Sequence, residues 1–243
     1  MHQYKKKKIK HNTLRITDKL NVNVSSLRIE PQSMVLSARN LTESTYVVRF
    51  ERNGMQFLAG QHITLGLPSD IQIREYSIYS PVNAPYLEVL IKEVKEGTVS
   101  RKLHKVREGD LLKVDGPFGF FTLDEESLSY RKFLFIATGT GIAPFHSMIG
   151  SYPNLNYKIF HGVRYAYEAY ERNFYPKDRY TLCTSRETKS NFNGRVTDYL
   201  FYHRIDSDTF VYLCGNCDMI NEVYNLLVSD GFNPDQIKTE VYF

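Results

Sequence analysis

The chain has 243 residues, of which 42% are hydrophobic and 24% are charged, a composition that excludes collagen-like, disordered and membrane-embedded proteins. This length suits two domains of roughly 100 to 150 residues, each with its own core. The formal net charge of +4 comes from the first 28 residues, which hold eight Lys or Arg and one Asp, so the remainder is slightly acidic.

The N-terminal segment 1–28 is a basic arm, with most of its lysines between Lys5 and Lys10. Clustered charge can attract an acidic partner, an anionic lipid surface or nucleic acid. No aromatic residues alternate with the lysines, so we favour a solvated arm and predict no nucleic-acid partner. Because no apolar run follows the lysines, we predict a cytoplasmic protein without a membrane span. Cys183, Cys214 and Cys217 are too few for a disulfide framework, which fits a reducing compartment.

The first half of the chain reads as short strands separated by Gly and Pro at turn positions. The predicted strands are Met34–Ala38, Tyr46–Phe50, His62–Leu67, Tyr76–Tyr79, Leu87–Val94 and Leu111–Val114. Within this half only Thr98–Val106 looks helical. Six such strands predict an antiparallel β-barrel domain over residues 29–126.

After Gly116 the pattern changes to alternating strands and helices, which is typical of a parallel sheet with crossover helices. The predicted strands are Lys132–Thr138, Tyr157–Val163, Tyr180–Ser185, Phe210–Cys214 and Ile237–Tyr242. The predicted helices are Pro144–Ser151, Arg195–His203 and Met219–Ser229, the last with Gly231 as its C-terminal cap. We therefore predict an α/β domain over residues 127–243.

The first strand of this second domain runs into Gly139-Thr140-Gly141-Ile142-Ala143-Pro144. Glycines let the backbone approach an anion closely, and the free amides at the start of a helix stabilise its charge. The segment therefore predicts a phosphate-binding turn, although a tight structural turn is an equal alternative from this segment alone.

Two segments of the first half look like a second anion site: Arg74-Glu75-Tyr76-Ser77 at a strand and Gly97-Thr98-Val99-Ser100 at the helix start. Together with the glycine-rich turn, their order and spacing resemble the ferredoxin-NADP reductase family, in particular the bacterial ferredoxin/flavodoxin reductases. The resemblance extends from about Arg28 to Phe243. It implies a two-domain flavoenzyme with FAD in the barrel and NADPH in the α/β domain.

The resemblance assigns the Arg-x-Tyr-Ser motif to FAD: Arg74 to its pyrophosphate, Tyr76 against the isoalloxazine ring and Ser77 near flavin N5. These roles suit a guanidinium fork, a flat ring with a polar tip and a hydroxyl. The resemblance also assigns to FAD the strand residues Val89, Leu90, Ile91 and Lys92, the helix start Gly97, Thr98, Val99 and Ser100, the turn residue Thr140, and the terminal Phe243.

For the pyridine nucleotide, the resemblance assigns Gly139, Thr140, Gly141, Pro144, Cys214, Gly215 and Met219 to the pyrophosphate and nicotinamide. It assigns Arg164, Ser185, Arg186 and Arg195 to the 2′-phosphate, because guanidiniums suit a dianion whereas an NADH site more often carries an acidic residue. Arginines on a solvated sheet edge are the alternative.

Cys214 and Cys217 also fit a redox Cys-x-x-Cys or half of a metal site, but no second pair completes tetrahedral ligation. Relatives of this branch commonly carry a proline at position 217. The seven histidines show no metal-ligand spacing, so no metal site is predicted.

The resemblance makes Ser77, Cys214 and Tyr242 the residues of the hydride-transfer site, with the aromatic tail at Tyr242 and Phe243 covering the flavin or its adenine. Such a tail would have to yield before nicotinamide can stack, although a plain final strand with a buried aromatic competes with this interpretation.

The resulting hypothesis is an enzyme, a monomer or weak dimer, that passes electrons from NADPH through FAD to ferredoxin or flavodoxin. Two alternatives stay open: a reductase component of an oxygenase or a flavin reductase, and a non-catalytic nucleotide-binding relay subunit.

Overall fold

A computed structural model describes residues 32–188 and 190–242; the basic arm predicted over residues 1–28 and the terminal Phe243 lie outside the described residues. The described chain forms a six-stranded antiparallel sheet followed by a six-stranded parallel sheet. The predicted fold class, an antiparallel barrel domain before a parallel α/β domain, is confirmed at this level.

The antiparallel sheet is made of strands β1 to β6, with one α-helix, α1, between β5 and β6. The bounds are β1 Gln32–Asn40, β2 Thr45–Glu51, β3 His62–Gly66, β4 Arg74–Ser77, β5 Tyr86–Lys92, α1 Thr98–Leu103 and β6 Leu111–Phe118. The strand order is β4-β3-β6-β1-β2-β5. The two edges of the sheet approach each other at the Ile78–Val89 bridge, where the Tyr79 N–H donates to Glu88 O at 2.7 Å, an arrangement consistent with a barrel.

The parallel sheet is made of strands β7 to β12 with helices α2 to α4. The bounds are β7 Lys132–Thr138, α2 Ala143–Ser151, β8 Tyr157–Val163, β9 Tyr180–Thr184, β10 Phe192–Asn193, α3 Val196–Tyr202, β11 Thr209–Gly215, α4 Cys217–Ser229 and β12 Ile237–Val241. The order is β10-β9-β8-β7-β11-β12, so the chain leaves β7 in one direction and returns to its other side with β11. Ligands of such sheets bind at the carboxyl ends of the strands beside this reversal.

The predicted elements agree with the structure except at some ends and one strand. The bounds of β7 and β8 are as predicted, whereas the short strand β10 is not predicted. Helix α4 begins at Cys217 because Asn216 caps it, its Oδ1 accepting from the N–H groups of Asp218 and Met219. The predicted cap at Gly231 is confirmed: its φ is +91°, and its N–H donates to Val228 O.

One apolar core extends across both halves of the described chain. Barrel residues such as Val47, Tyr79 and Leu90 belong to the same buried cluster as Phe145 and Met148 of α2. Two serines of α2 add polar contacts to the segment after β4: Ser147 Oγ donates to Ser80 O at 2.7 Å, and Ser151 Oγ accepts from Val82 N–H at 2.9 Å. The two halves therefore pack as one body.

A polar network joins the halves beside this shared core. Glu171, in the connection between β8 and β9, accepts from Tyr79 Oη at 2.6 Å and from Arg39 Nη2 at 2.9 Å. Arg39 also pairs with Glu88, and the Tyr79 ring stacks on His146 with centroids 3.9 Å apart. Burial opposes the charge on Glu171, but the hydrogen bonds from Tyr79 and Arg39 outweigh it and hold its pKa below the usual value.

Candidate functional site

A cavity of about 420 Å³ lies at the carboxyl ends of the parallel strands, where the strand order reverses. Its lining combines the turn after β7, the end of β8, the start of α3 and the start of α4 with the end of β5 and the residue that follows β12. The residues are Lys92, Thr138, Gly139, Thr140, Gly162, Val163, Arg164, Glu168, Ser185, Arg195, Val196, Thr197, Gly215, Asn216, Asp218, Met219, Glu222 and Tyr242. Nine residues of the sequence hypothesis thus meet in one cavity: Lys92, Gly139, Thr140, Arg164, Ser185, Arg195, Gly215, Met219 and Tyr242.

The glycine-rich turn Gly139–Ile142 forms one wall of the cavity. Its two glycines are required for different physical reasons. Gly139 has φ +53°, and a Cβ there would enter open space. A Cβ on Gly141 would lie 2.3 Å from the Cys214 carbonyl oxygen, so Gly141 lets the turn cross the end of β11. Pro144 is buried in the first turn of α2 and does not line the cavity.

A hydrogen bond and a close backbone contact connect the ends of β7 and β11 at the cavity. Asn216 N–H donates to Thr138 Oγ1 at 2.8 Å, and a Cβ on Gly215 would lie 2.3 Å from the same oxygen. Gly215 has φ +130°, which a side chain would disfavour. Two loops that both line the cavity therefore hold a fixed relative position.

Arg164, Ser185 and Arg195 line the cavity, whereas Arg186 does not. All three arginines are exposed. The loop that carries Arg164 is fixed by Glu168, whose Oε2 accepts from the N–H groups of Arg164 and Tyr165 and whose Oε1 accepts from Lys92 Nζ at 3.2 Å. This carboxylate is thus already engaged.

The three residues predicted for hydride transfer converge where the barrel meets the parallel sheet. Tyr242 Oη donates to Ser77 Oγ at 2.6 Å, and the Tyr242 N–H donates to Gly215 O at 2.8 Å. The Cys214 thiol also contacts the Tyr242 hydroxyl, and burial raises the pKa of that thiol well above its usual value. Cys214 is fully buried under Tyr242 and does not line the cavity, so it is a neutral thiol behind the tail.

Glu240 joins this group and was missed by the sequence hypothesis. Burial raises the pKa of its carboxyl to about 7, against the effect of the Ser77 hydroxyl and with help from the charge of Glu75. Its Oε2 is buried without a hydrogen-bond partner. The signal was available, because side chains alternate along an extended strand and Glu240 falls on the same side as Tyr242.

The remaining flavin-motif residues lie on the barrel at its β4 and β5 edges. Arg74 is exposed, with Nη1 donating to Ile73 O at 2.8 Å, and burial raises the pKa of Tyr76 to about 12. Val89, Leu90 and Ile91 are buried in β5, whose outer edge is paired in the described chain only at the Ile78–Val89 bridge.

At the start of α1, Gly97 has no side chain, Thr98 is exposed, and Val99 and Ser100 are buried. Ser100 Oγ accepts from Val94 N–H at 3.1 Å, and the Ser100 carbonyl accepts from Tyr46 Oη. No side chain caps the helix at Gly97, so its first N–H groups are left for a ligand or water.

A second, open cleft of about 860 Å³ lies between α1 and the ends of β1 and β2. Four basic side chains line it beside Glu93: Arg101, Lys102, Lys105 and Arg107, of which Lys102 is paired with Asp70 at 2.7 Å. Such a surface suits an acidic partner.

The two cysteines of the Cys-x-x-Cys segment differ in their exposure to solvent. Cys214 is buried in β11, whereas Cys217 is exposed in the first turn of α4, and both are free thiols. Over residues 32–188 and 190–242 no three His, Cys, Asp or Glu side chains are grouped to hold a metal ion. In the same residues no helix has the length and hydropathy to cross a bilayer.

Comparison with known proteins identifies the same two halves. A family model described as oxidoreductase FAD-binding domain matches residues 32–123, and one described as oxidoreductase NAD-binding domain matches residues 135–225.

Three similar proteins place these domains in context. A flavodoxin/ferredoxin–NADP reductase of Buchnera aphidicola is 30% identical over 220 residues, covering 77% of this chain and 88% of the relative. The toluate 1,2-dioxygenase electron transfer component of Pseudomonas putida is 28% identical over 84% of this chain, which spans 65% of that protein. A solved ferredoxin NADP+ reductase from Neisseria gonorrhoeae with bound FAD and NADP has a TM-score of 0.79 at 22% identity, covering 88% of this chain and 98% of that one, and shares the fold.

Proposed function

Since the chain belongs to the ferredoxin/flavodoxin–NADP reductase family, we propose that it is an FAD-dependent enzyme that oxidises NADPH and reduces a small one-electron carrier such as ferredoxin or flavodoxin. FAD, when bound, supplies the conversion of a two-electron hydride donor into one-electron steps. The observation that carries the proposal is the 2.6 Å contact between Ser77 of the barrel and Tyr242, which follows the last strand of the parallel sheet, beside a cavity of about 420 Å³.

The described residues fit a flavin at the barrel edge. The outer edge of β5 leaves backbone groups free, the start of α1 is uncapped, and Arg74 is exposed and able to bind phosphate oxygens. The unpartnered Oε2 of Glu240 adds a buried acceptor without a donor beside Ser77. In this proposal Arg74 and the amides of α1 hold the pyrophosphate, Tyr76 contacts the ring, and Ser77 contacts its reactive edge.

The cavity fits a pyridine dinucleotide with a 2′-phosphate. The open space at Gly139 leaves room for a pyrophosphate against the turn, and Arg164, Ser185 and Arg195 line the same cavity. Three acidic residues, Glu168, Asp218 and Glu222, also line it, and Glu168 accepts from two backbone N–H groups and from Lys92. These features favour NADPH over NADH, because a dianion gains from two guanidiniums.

Tyr242 has the position of a gate in this proposal. Its side chain lines the cavity while its hydroxyl is bonded to Ser77, so it lies between the nucleotide site and the flavin-contacting serine. A nicotinamide that reaches Ser77 must displace the ring, and positioning of this kind accounts for most of what the protein contributes to hydride transfer.

The proposal of a small one-electron carrier as the partner is based on the similar proteins and on the charge of the cleft beside α1. The basic cleft on α1 fits an acidic protein, and the similar proteins include both carrier reductases and an oxygenase component. The second candidate is therefore a reductase that serves an oxygenase, which the 28% identity to the toluate dioxygenase component supports. A cytoplasmic location and a monomeric or weakly dimeric state stay predictions.

The decisive experiment is to supply the purified protein with FAD, mix it anaerobically with NADPH and with NADH, and follow the flavin absorbance. Flavin bleaching at lower NADPH than NADH concentrations supports the proposal; a colourless protein that takes up no flavin, or no bleaching by either nucleotide, contradicts it. Acceptor screening with ferredoxin, flavodoxin and oxygenase components then separates the two candidates.

Specificity is tested with Arg164→Gln and Arg195→Gln. Each should raise the KM for NADPH at least about tenfold, equivalent to about 1.4 kcal/mol, with little change for NADH. Arg179→Gln is the matched control, because Arg179 precedes β9 at the opposite end of the strand from Ser185 and bonds to Leu155 O. Equal losses for both nucleotides would refute a 2′-phosphate site.

A further inference from the structure

One buried histidine of the parallel sheet has no part in the site as described so far. His161 lies in β8, is fully buried, and contacts two neighbours through its two ring nitrogens. Nε2 lies 2.8 Å from the carbonyl oxygen of Gly139, and Nδ1 lies 2.8 Å from the hydroxyl of Tyr180. The ring thus connects the interior of the sheet to the first residue of the glycine-rich turn.

These contacts fix the tautomer. A carbonyl oxygen can only accept, so the proton must be on Nε2, and the neutral ring then accepts at Nδ1 from the Tyr180 hydroxyl. Burial lowers the pKa of His161 to about 4, so the ring is neutral near pH 7. Tyr180, His161 and Gly139 therefore form a hydrogen-bonded chain with one fixed direction.

The position of the Gly139 carbonyl matters to an anion. With φ at +53°, Gly139 turns its peptide groups sharply, and the carbonyl is held toward the buried ring of His161. A carbonyl oxygen facing a phosphate would repel it, whereas the N–H groups of a turn attract it. The face of Gly139 on which a Cβ would stand is open space at the cavity.

We propose that His161, oriented by Tyr180, is a positioning residue that holds the Gly139 carbonyl away from the cavity, so that the turn presents N–H groups to the pyrophosphate of the dinucleotide. This rests on the proposed function, since it assigns the turn to the dinucleotide. If His161 had a purely structural role, its replacement would lower stability and would not weaken the binding of the pyrophosphate in particular.

The test compares two ligands that share the 2′-phosphate and adenosine but differ in the pyrophosphate. Calorimetric titration with NADP+ and with 2′-AMP is carried out on flavin-loaded wild type, His161→Leu and His161→Gln. Leu removes the donor, whereas the Gln side-chain amide can donate from about the position of Nε2.

We expect His161→Leu to weaken NADP+ at least about tenfold while 2′-AMP stays within about twofold of wild type, and His161→Gln to recover most of the loss. The KM for NADPH should rise by a similar factor, with kcat at saturation within about twofold. Tyr180→Phe, which removes only a hydroxyl, should weaken NADP+ by about two- to fivefold and tests the inference if the leucine variant does not fold.

His146→Phe is the matched control, since the ring of this buried histidine also bonds to a tyrosine, Tyr175 at 3.0 Å, and its other nitrogen faces Glu171 at 3.9 Å. It should lose stability and keep NADP+ affinity. The inference is overturned if His161→Leu and Tyr180→Phe leave NADP+ unchanged, if 2′-AMP weakens as much as NADP+, or if His146→Phe weakens NADP+ equally. A wild type that binds neither ligand instead refutes the proposed function.

Discussion

The hydrogen bond between Tyr79 and Glu171 joins the barrel to the parallel sheet, and Tyr79→Phe removes it without removing the ring. Tyr79 is fully buried, its hydroxyl is 2.6 Å from Glu171 Oε2, and its ring stacks on His146. The variant keeps the stacking and leaves one carboxylate oxygen without its buried donor. Its effect therefore reports this single contact.

The expected cost follows from the charge and exposure of the acceptor. A hydrogen bond to a charged group contributes about 1.5 to 3 kcal/mol. The Glu171 side chain is 28% exposed, so water replaces part of the lost bond, and we expect a loss of about 2 kcal/mol. For a chain of this size, that loss lowers Tm by about 4 to 8 °C.

The assay is thermal and urea unfolding of the flavin-loaded protein, followed by circular dichroism. Tyr152→Phe is the control, because Tyr152 also bonds to a glutamate, Glu125, but at 3.4 Å and at an exposed position. It should cost less than about 0.5 kcal/mol. Equal losses in the two variants would refute the argument that burial and short distance make the contact between the halves strong.

Two further predictions concern the site. Gly141→Ala should lower the free energy of unfolding, measured in urea, by about 3 kcal/mol, because its Cβ would collide with the Cys214 carbonyl. Gly139→Ala should lower it by about 1 to 2 kcal/mol, from backbone strain alone. The reverse ranking would contradict this reasoning. Glu240 has a pKa of about 7 against an ordinary 4.5, so its ionisation opposes folding, and wild type should lose up to about 3 kcal/mol as the pH rises from 4.5 to 7. Glu240→Gln removes that loss, so its Tm relative to wild type should increase from pH 5 to pH 8, and a constant difference would refute the assignment.

Much of the fold could be predicted because the sequence patterns are local. The hydrophobic runs at Lys132–Thr138 and Tyr157–Val163 end at glycines or charged residues, so their bounds agree with the structure. The sequence predicts the start of α4 two residues late, because the capping by Asn216 is a side-chain contact that hydrophobic periodicity does not report. The strand Phe192–Asn193 has only two residues and forms through pairing with β9, which no local pattern carries.

The site was predicted as a set of segments, and the structure adds which of them meet. Arg164, Ser185 and Arg195 share the cavity, whereas Arg186, an equal member of the pattern, lies outside its lining. Strand alternation places Glu240 on the same side as Tyr242, but the raised pKa of its carboxyl depends on burial against Ser77, a residue more than 160 positions away in the chain. Long-range burial of this kind cannot be read from spacing.

The core shared by the barrel and the parallel sheet limits how this enzyme can be divided or recombined. If the nucleotide-binding half were excised, Phe145 and Met148 would become exposed to solvent, and the Glu171 carboxylate would lose its ion pair with Arg39. Exchanging one half for that of a relative would therefore require transplanting its facing residues as well. In such a hybrid, one source protein would determine the nucleotide preference. The geometry of electron transfer would depend on how well the two halves pack at their interface.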